Sequence, residues 1–138
     1  MKDYSKSKDF SNYLIYIFND NSLKAEIRQI AGLTLKGMID KSNFQFSDES
    51  ICYFKSNIFK NYTDNLKNLR NTVGIIVNTF VKQGGLEIWP GILELLYNYL
   101  ANEESQILAM ETINIIIEDS MGQLNDKYNK VLFFTYLF

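Results

Sequence analysis

The chain has 138 residues, of which 46% are hydrophobic and 22% charged, and its formal net charge is −2, which suits one folded unit with an ordinary core. Scattered lysines and a mild negative charge give no basic footprint for nucleic acid, and no apolar run is long enough to cross a membrane. With no histidine and a single cysteine, zinc sites and both standard hydrolytic triads are excluded, so we expect no metal, no cofactor and no enzyme.

Helical periodicity accounts for the first half of the chain. A first helix is predicted over about residues 8–18, and a second over about 23–40. A third is predicted over about 48–61, with Ser47 as its N-cap. The apolar positions expected to be buried are, in the first helix, Phe10, Tyr13, Leu14, Ile17 and Phe18, and in the second, Ile27, Ile30, Ala31, Leu35, Met38 and Ile39.

The second half continues the pattern. A fourth helix carries Leu69, Val73, Ile76, Val77 and Phe80 and ends at Gly84-Gly85, because glycine accepts the conformation that closes a helix. A fifth is predicted from Pro90 to about residue 100, with Trp89 packing at its start. A sixth covers about 103–121, and its stripe is Ile107, Leu108, Met110, Ile113, Ile116 and Ile117. Cys52 is expected to be buried or at the boundary of the core.

A seventh helix is predicted from about Asp126. It ends in Val131–Phe138, a run that is apolar on nearly every side. A helix at a free chain end has no reason to be apolar all round. The run therefore predicts that something covers this end, and that the chain associates with itself through its exposed ends.

The helices repeat. Placing Ile27-Arg28 on Leu69-Arg70 also places Ala31-Gly32 on Val73-Gly74, a period of roughly forty residues with two helices per unit, as in the HEAT and armadillo class. The expected fold is all-α, a right-handed α-solenoid of HEAT repeats with about seven antiparallel helices. The approximate repeats are 8–41, 48–84 and 89–121, followed by a lone helix over 126–138.

Charged residues near the turns suggest a repeating ladder. Asp64 lies in a turn and Arg70 follows early in the next helix, which is the pairing that HEAT units commonly make, and Asp20 and Arg28 repeat it more loosely. We interpret Arg28, Asp64 and Arg70 as structural rungs between units. Contact with a ligand is the alternative.

Five segments carry a resemblance that spans nearly the whole chain. They are Asp9-Phe-Ser-Asn-Tyr-Leu-Ile, Ile30-Ala-Gly-Leu-Thr-Leu-Lys36, Leu69-Arg-Asn-Thr-Val-Gly-Ile-Ile, Ile88-Trp-Pro-Gly-Ile-Leu and Ile117-Glu-Asp-Ser120. In order and spacing they resemble the N-terminal HEAT repeats of the importin-β family of nuclear import receptors, in particular its branch for proline-tyrosine-type signals. Only about eight residues precede Phe10, so the resemblance implies a fragment that lacks the first repeat and ends within the fifth.

The resemblance also implies partners. In the family the second helices of the N-terminal repeats bind the small GTPase Ran in its GTP form on the concave side, whereas cargo carrying a nuclear localisation signal binds C-terminal repeats that are missing here. It implies shuttling between cytoplasm and nucleus and admits nucleoporins as partners. The alternative from another class is a HEAT scaffold subunit of a larger assembly, of the phosphatase-regulatory or coat-adaptor type.

The residues that we predict for Ran binding lie on the second helices, away from the apolar stripes. They are Lys36, Asp40, Asn71, Asn78, Lys82, Glu111, Asn114, Glu118 and Asp119. A merely solvated face is the alternative for each of them. Glu118 and Asp119 are not expected to act as paired catalytic carboxylates, because adjacent helical residues point in different directions.

Overall fold

Six α-helices make up most of the computed structural model, which describes residues 10–41 and 45–124, with side chains to Asp119. They are α1 (Phe10–Asn19), α2 (Ala25–Lys41), α3 (Asp48–Asn57), α4 (Lys67–Gly84), α5 (Ile92–Tyr99) and α6 (Gln106–Leu124), with 3₁₀ turns at Ile58–Asn61 and Leu86–Ile88. The described residues contain no strand, so the all-α prediction is confirmed. The predicted seventh helix, and the run that should need a cover, lie outside the described residues.

The helices form two layers. Helix α2 packs against α1 on one side and α4 on another, α4 packs in turn against α6, and α5 packs against α6. The second helices of successive units therefore stand side by side in the order α2, α4, α6. This stacking of each unit on its neighbour is the arrangement expected of a solenoid.

Two helix ends follow the local rules. The Ser47 hydroxyl accepts a hydrogen bond of 3.1 Å from the backbone N–H of Ser50, which caps α3 as predicted. Helix α4 ends at Gly84, and its C-cap residue Gly85 has a φ of 79°, which lies in the left-handed region. The prediction that Pro90 opens the next helix is wrong, because Pro90 lies in a turn and α5 begins at Ile92.

Aromatic rings connect the second unit to the third. Phe54 of α3 stacks on Phe80 of α4 with ring centroids 4.0 Å apart, and both rings form T-shaped pairs with Trp89, with centroids 6.1 Å apart. Tyr62 and Tyr99 extend the cluster, 4.9 Å apart. Trp89 is buried, so it packs at the joint before α5 as predicted. Cys52 is exposed, which corrects the expectation that it is buried or at the core boundary.

The predicted apolar stripes are correct for α4 and partly wrong elsewhere. All five predicted α4 residues are buried. In α2 the buried face runs through Arg28, Ala31, Gly32, Leu35 and Ile39, so it is rotated from the predicted stripe. The predicted core residues that are instead exposed are Tyr13, Ile27, Ile30, Ile107 and Met110. An apolar residue beside a stripe has the same periodicity whether or not a neighbouring helix covers it.

Two glycines allow the second helices to approach closely. A Cβ on Gly32 would lie 2.7 Å from the Phe18 ring and 2.9 Å from the Thr72 methyl group of α4. A Cβ on Gly74, the residue aligned with Gly32 in the repeat, would lie 3.1 Å from Leu108 of α6. The two helix contacts in the layer therefore use glycine at the same position of the repeat, as the alignment predicted.

Candidate functional site

The candidate surface is the side of the α2, α4 and α6 layer that carries the polar residues. Lys36 and Asp40 lie on α2, Asn71, Asn78 and Lys82 on α4, and Glu111, Asn114, Glu118 and Asp119 on α6. Six of the nine are exposed, and Lys36, Asn78 and Asp119 are half-buried. Because these three helices are neighbours, residues that are far apart in sequence share one layer.

The ends of α2 and α4 bring three of the predicted residues together. Lys36 Nζ lies 2.7 Å from the Asp40 carboxylate, one turn further along α2. The hydrogen bond from Lys36 lowers the pKa of Asp40, and a hydrogen bond from Gln83 and the charge of Lys82 act in the same direction. Asp40 therefore pairs with Lys36 and lies within electrostatic range of Lys82 at this end of the layer.

On α4 the spacing puts the candidates on one stripe. Asn71, Asn78 and Lys82 are seven and four residues apart, which returns each to nearly the same side of a helix. The Asn78 Oδ1 atom is shielded from solvent and accepts no hydrogen bond from the described residues. Lys82 is therefore the charged group of this stripe, and Asn71 presents its amide to solvent.

Helix α6 makes its part of the surface acidic. Glu111 and Glu118 are exposed, Asp119 is half-buried, and α6 contains no lysine or arginine. No group of three or more metal-ligating side chains occurs among the residues that the structure describes. The arrangement presents fixed charges and side-chain amides at the surface.

A buried polar network lies on another side of the same helices. Arg28 is 4% exposed, and its guanidinium donates to the Phe18 carbonyl (2.9 Å), to Asn61 Oδ1 (2.9 Å) and to the Asp64 carboxylate (3.2 Å). Arg70 donates to the backbone carbonyl of Asp64 at 2.6 Å. Asp64 thus receives one arginine from the unit before it and one from its own unit.

Asp20, which the sequence predicts to pair loosely with Arg28, is not hydrogen-bonded to this network. The Asp20 carboxylate accepts from the Ser22 N–H at 3.0 Å and from the Ser22 hydroxyl at 2.6 Å, so it closes its own turn. These bonds lower the pKa of Asp20, and the charge of Arg28 is the smallest of the contributions. Arg28 pairs with Asp64 instead. Because a buried guanidinium is tolerated only when it is hydrogen-bonded, Arg28 needs the several partners that this network provides.

Sequence reasoning missed Asn61. Its amide donates to the Phe18 carbonyl at 3.0 Å and to Asn19 Oδ1 at 2.7 Å, while its Oδ1 accepts from Arg28. All its hydrogen-bonding groups are therefore used inside the fold. The spacing of 33 residues from Arg28 gives no periodic signal, although a buried asparagine next to a predicted turn is a recognisable type of capping residue.

None of the helices that the structure describes has the length and apolarity needed to cross a membrane. Among the described ion pairs, Arg28–Asp64 is largely buried and Lys36–Asp40 is exposed. Only the second lies on the candidate surface.

Comparison with known proteins shows what the chain is similar to. Residues 1–64 match the family described as the Importin-beta N-terminal domain. The chain is 33% identical over 120 residues to Transportin of Dictyostelium discoideum, covering 85% of this chain and 13% of that protein. It is 32% identical over 126 residues to Transportin-1 of Homo sapiens (87% and 14%) and 30% identical over 126 residues to Importin subunit beta-2 of Schizosaccharomyces pombe (88% and 14%). The chain thus spans about one seventh of the length of these relatives.

Proposed function

We propose, from the premise that this chain belongs to the importin-β family and is transportin-like, that it forms part of the surface that binds a Ran-type small GTPase in the GTP form. One observation carries the proposal. The nine predicted residues lie on three neighbouring helices of one layer, and six of them are exposed.

Within the layer, most of the residues that join successive units differ from those proposed to bind the GTPase. The buried network around Arg28 and Asp64 joins successive units, and on the polar stripes the structural contacts are the Lys36–Asp40 pair and the hydrogen bonds of Gln29 with Thr72 and of Asp40 with Gln83. Cargo recognition is assigned to parts of the longer relatives outside this segment. No catalytic step is assigned, since the relatives are named as transportins and an importin subunit.

The same premise gives the cellular setting. A receptor of this class works in both cytoplasm and nucleus, and its encounter with the GTP form of the GTPase couples to cargo release. The names of the relatives favour this function over a phosphatase or coat scaffold. The proposal places the segment on the GTPase side of that coupling.

The proposal is tested with surface variants of the purified chain. Lys82→Glu places a negative charge beside Asp40 and should weaken binding to the GTP-loaded GTPase about tenfold, measured by biolayer interferometry. Lys60→Glu is the matched control, because Lys60 is also exposed but lies in the 3₁₀ turn after α3. Equal affinity for both variants and the wild type would remove the second helices from the binding surface.

A further inference from the structure

The polar stripes of the second helices have aliphatic side chains in their middle. Leu33 on α2, Ile75 on α4 and Ile115 on α6 are 48%, 46% and 43% exposed. Each has polar neighbours one turn before and after it on the same stripe. The stripes are Gln29, Leu33, Lys36 and Asp40; Asn71, Ile75, Asn78 and Lys82; and Glu111, Ile115 and Glu118.

Contacts on either side set Leu33 and Ile75 at the same level of the layer. Gln29 Nε2 of α2 donates to Thr72 Oγ1 of α4 at 2.8 Å. Eleven residues further along each helix, Gln83 of α4 donates a hydrogen bond to Asp40 of α2. Helices α2 and α4 therefore run parallel in constant register. Leu33 lies one turn after Gln29, and Ile75 lies about one turn after Thr72, so the two side chains occupy neighbouring places.

Helix α6 continues the row. Thr112 and Leu108 lie against Gly74, the residue before Ile75, and Ile115 is three positions after Thr112. We infer that Leu33, Ile75 and Ile115 form the apolar centre of the docking surface for the GTP-bound small GTPase. This inference rests on the proposed function and names the residues that would carry most of its binding energy.

The arrangement has the anatomy of a protein interface. Interfaces place a desolvated apolar centre inside a polar rim, and a few central side chains dominate the free energy of binding. Here Asn71, Asn78 and Lys82 border Ile75 on α4, and Glu111 and Glu118 border Ile115 on α6. The polar residues predicted from the sequence would then form the rim.

Charge indicates the chemistry of the partner. After Lys82 the next basic residue is Lys127, and the acidic residues between 83 and 119 are Glu87, Glu94, Glu103, Glu104, Glu111, Glu118 and Asp119. Among the residues that the structure describes, the α6 side of the row is therefore anionic, and its carboxylates form no ion pair. The complementary face of the GTPase should carry an apolar patch bordered by lysine or arginine where it meets α6.

A second copy of this chain fits this surface less well. Lys36 is already paired with Asp40, so a copy docked by the same face would bring mainly Lys82 to neutralise the acidic stripe of α6. The acidic side chains would lose water without gaining cationic partners, which is unfavourable. A GTPase face that is basic where it meets α6 avoids this cost.

The test is the double variant Leu33→Ser/Ile75→Ser in the full chain. Its affinity for the GTPase loaded with a nonhydrolysable GTP analogue should fall at least tenfold. The matched control is Ile27→Ser/Leu66→Ser, because Ile27 and Leu66 are each 46% exposed and lie off the row; it should change affinity less than twofold. Circular dichroism and thermal unfolding of both variants establish that each is folded.

The remaining outcomes separate the two proposals. A wild-type chain that binds neither nucleotide form refutes the proposed function and this inference with it. A wild type that binds, with a Leu33→Ser/Ile75→Ser variant that binds equally well, refutes only the apolar centre. A wild type that sediments as a dimer, and becomes monomeric in that double variant without loss of GTPase affinity, identifies a second copy as the occupant and also overturns the inference.

Discussion

Arg28 shows how one residue can hold a joint between repeats. Its guanidinium reaches a carbonyl at the end of α1, an asparagine in the 3₁₀ turn and the carboxylate of Asp64, all from a position that is 4% exposed. A buried charge is tolerated only when it is paired and hydrogen-bonded. Removing it would leave the Asp64 carboxylate without its cationic partner and Asn61 Oδ1 without its donor.

Arg28→Met should therefore lower the free energy of unfolding by about 3 kcal/mol, because it leaves a largely buried carboxylate unpaired. Urea denaturation followed by circular dichroism measures the change. Lys36→Met is the control, since it removes a cation from an exposed pair on the same helix and should change stability little. Similar losses for the two variants would mean that Arg28 is not a structural rung.

Tyr62 gives a second prediction at the residue scale. It is buried, its hydroxyl lies 2.9 Å from Thr112 Oγ1, and burial raises its pKa to about 12. The folded state thus favours the neutral phenol, and its stabilising contribution is complete below the unfolded pKa of about 10 and lost as pH rises towards 12. The loss should reach about 2 to 3 kcal/mol.

Tyr62→Phe isolates this effect from the titration of lysines, which both proteins share. At neutral pH the variant should be about 1 kcal/mol less stable, through loss of the hydrogen bond to Thr112. Between pH 10 and 12 its stability should fall less steeply than that of the wild type. Parallel curves of unfolding free energy against pH would show that the Tyr62 phenol does not titrate with folding.

At the scale of the helices, the sequence was most informative where burial surrounds an element. Helix α4 has neighbours on several sides, so all its predicted apolar residues are buried. The predicted stripe of α2 was partly wrong because Arg28 is buried, and a hydrophobic pattern does not predict a buried arginine. The buried face is therefore rotated from the predicted one, and Ile30 is 65% exposed. Which polar stripes face a common side depends on contacts between helices, and residue spacing within one helix does not contain that information.

The α2–α4 contact yields a prediction with an internal control. Gly32→Ala should destabilise the chain by about 1–3 kcal/mol, because the added methyl would overlap the buried Phe18 ring and the β-branched Thr72. Gly37→Ala on the same helix meets nothing within 4 Å and should stabilise it by about 0.5–1 kcal/mol through better helix propensity. Thermal and urea unfolding measure both. Stabilisation by Gly32→Ala together with destabilisation by Gly37→Ala would contradict the close packing of α2 on α4.

At the scale of the whole molecule, the chain divides by charge. The third unit is acidic, whereas the earlier units are rich in basic residues. The nine lysines and arginines from residue 24 to residue 82 are Lys24, Arg28, Lys36, Lys41, Lys55, Lys60, Lys67, Arg70 and Lys82. The candidate surface crosses this boundary, from the Lys36–Asp40 pair to Glu118. Association with a charged partner should therefore slow as ionic strength rises.

This salt dependence is itself a prediction. The association rate constant with the GTP-loaded GTPase should fall several-fold between about 0.05 and 0.3 M salt, with a smaller change in the dissociation rate constant. Glu111→Gln/Glu118→Gln should flatten that dependence, because it removes two of the exposed anions of α6. Surface plasmon resonance resolves the two rate constants. A salt dependence that is unchanged in the variant would exclude α6 from the encounter.

The dependence of binding on the nucleotide that the GTPase carries is the sharpest test of the proposed function. The purified chain should bind a Ran-type GTPase loaded with a nonhydrolysable GTP analogue at least tenfold more tightly than the same protein loaded with GDP, because a surface for the GTP form must distinguish the two conformations. Isothermal titration calorimetry with both forms provides the comparison. Equal affinity for the two forms, or binding to neither, would contradict the account.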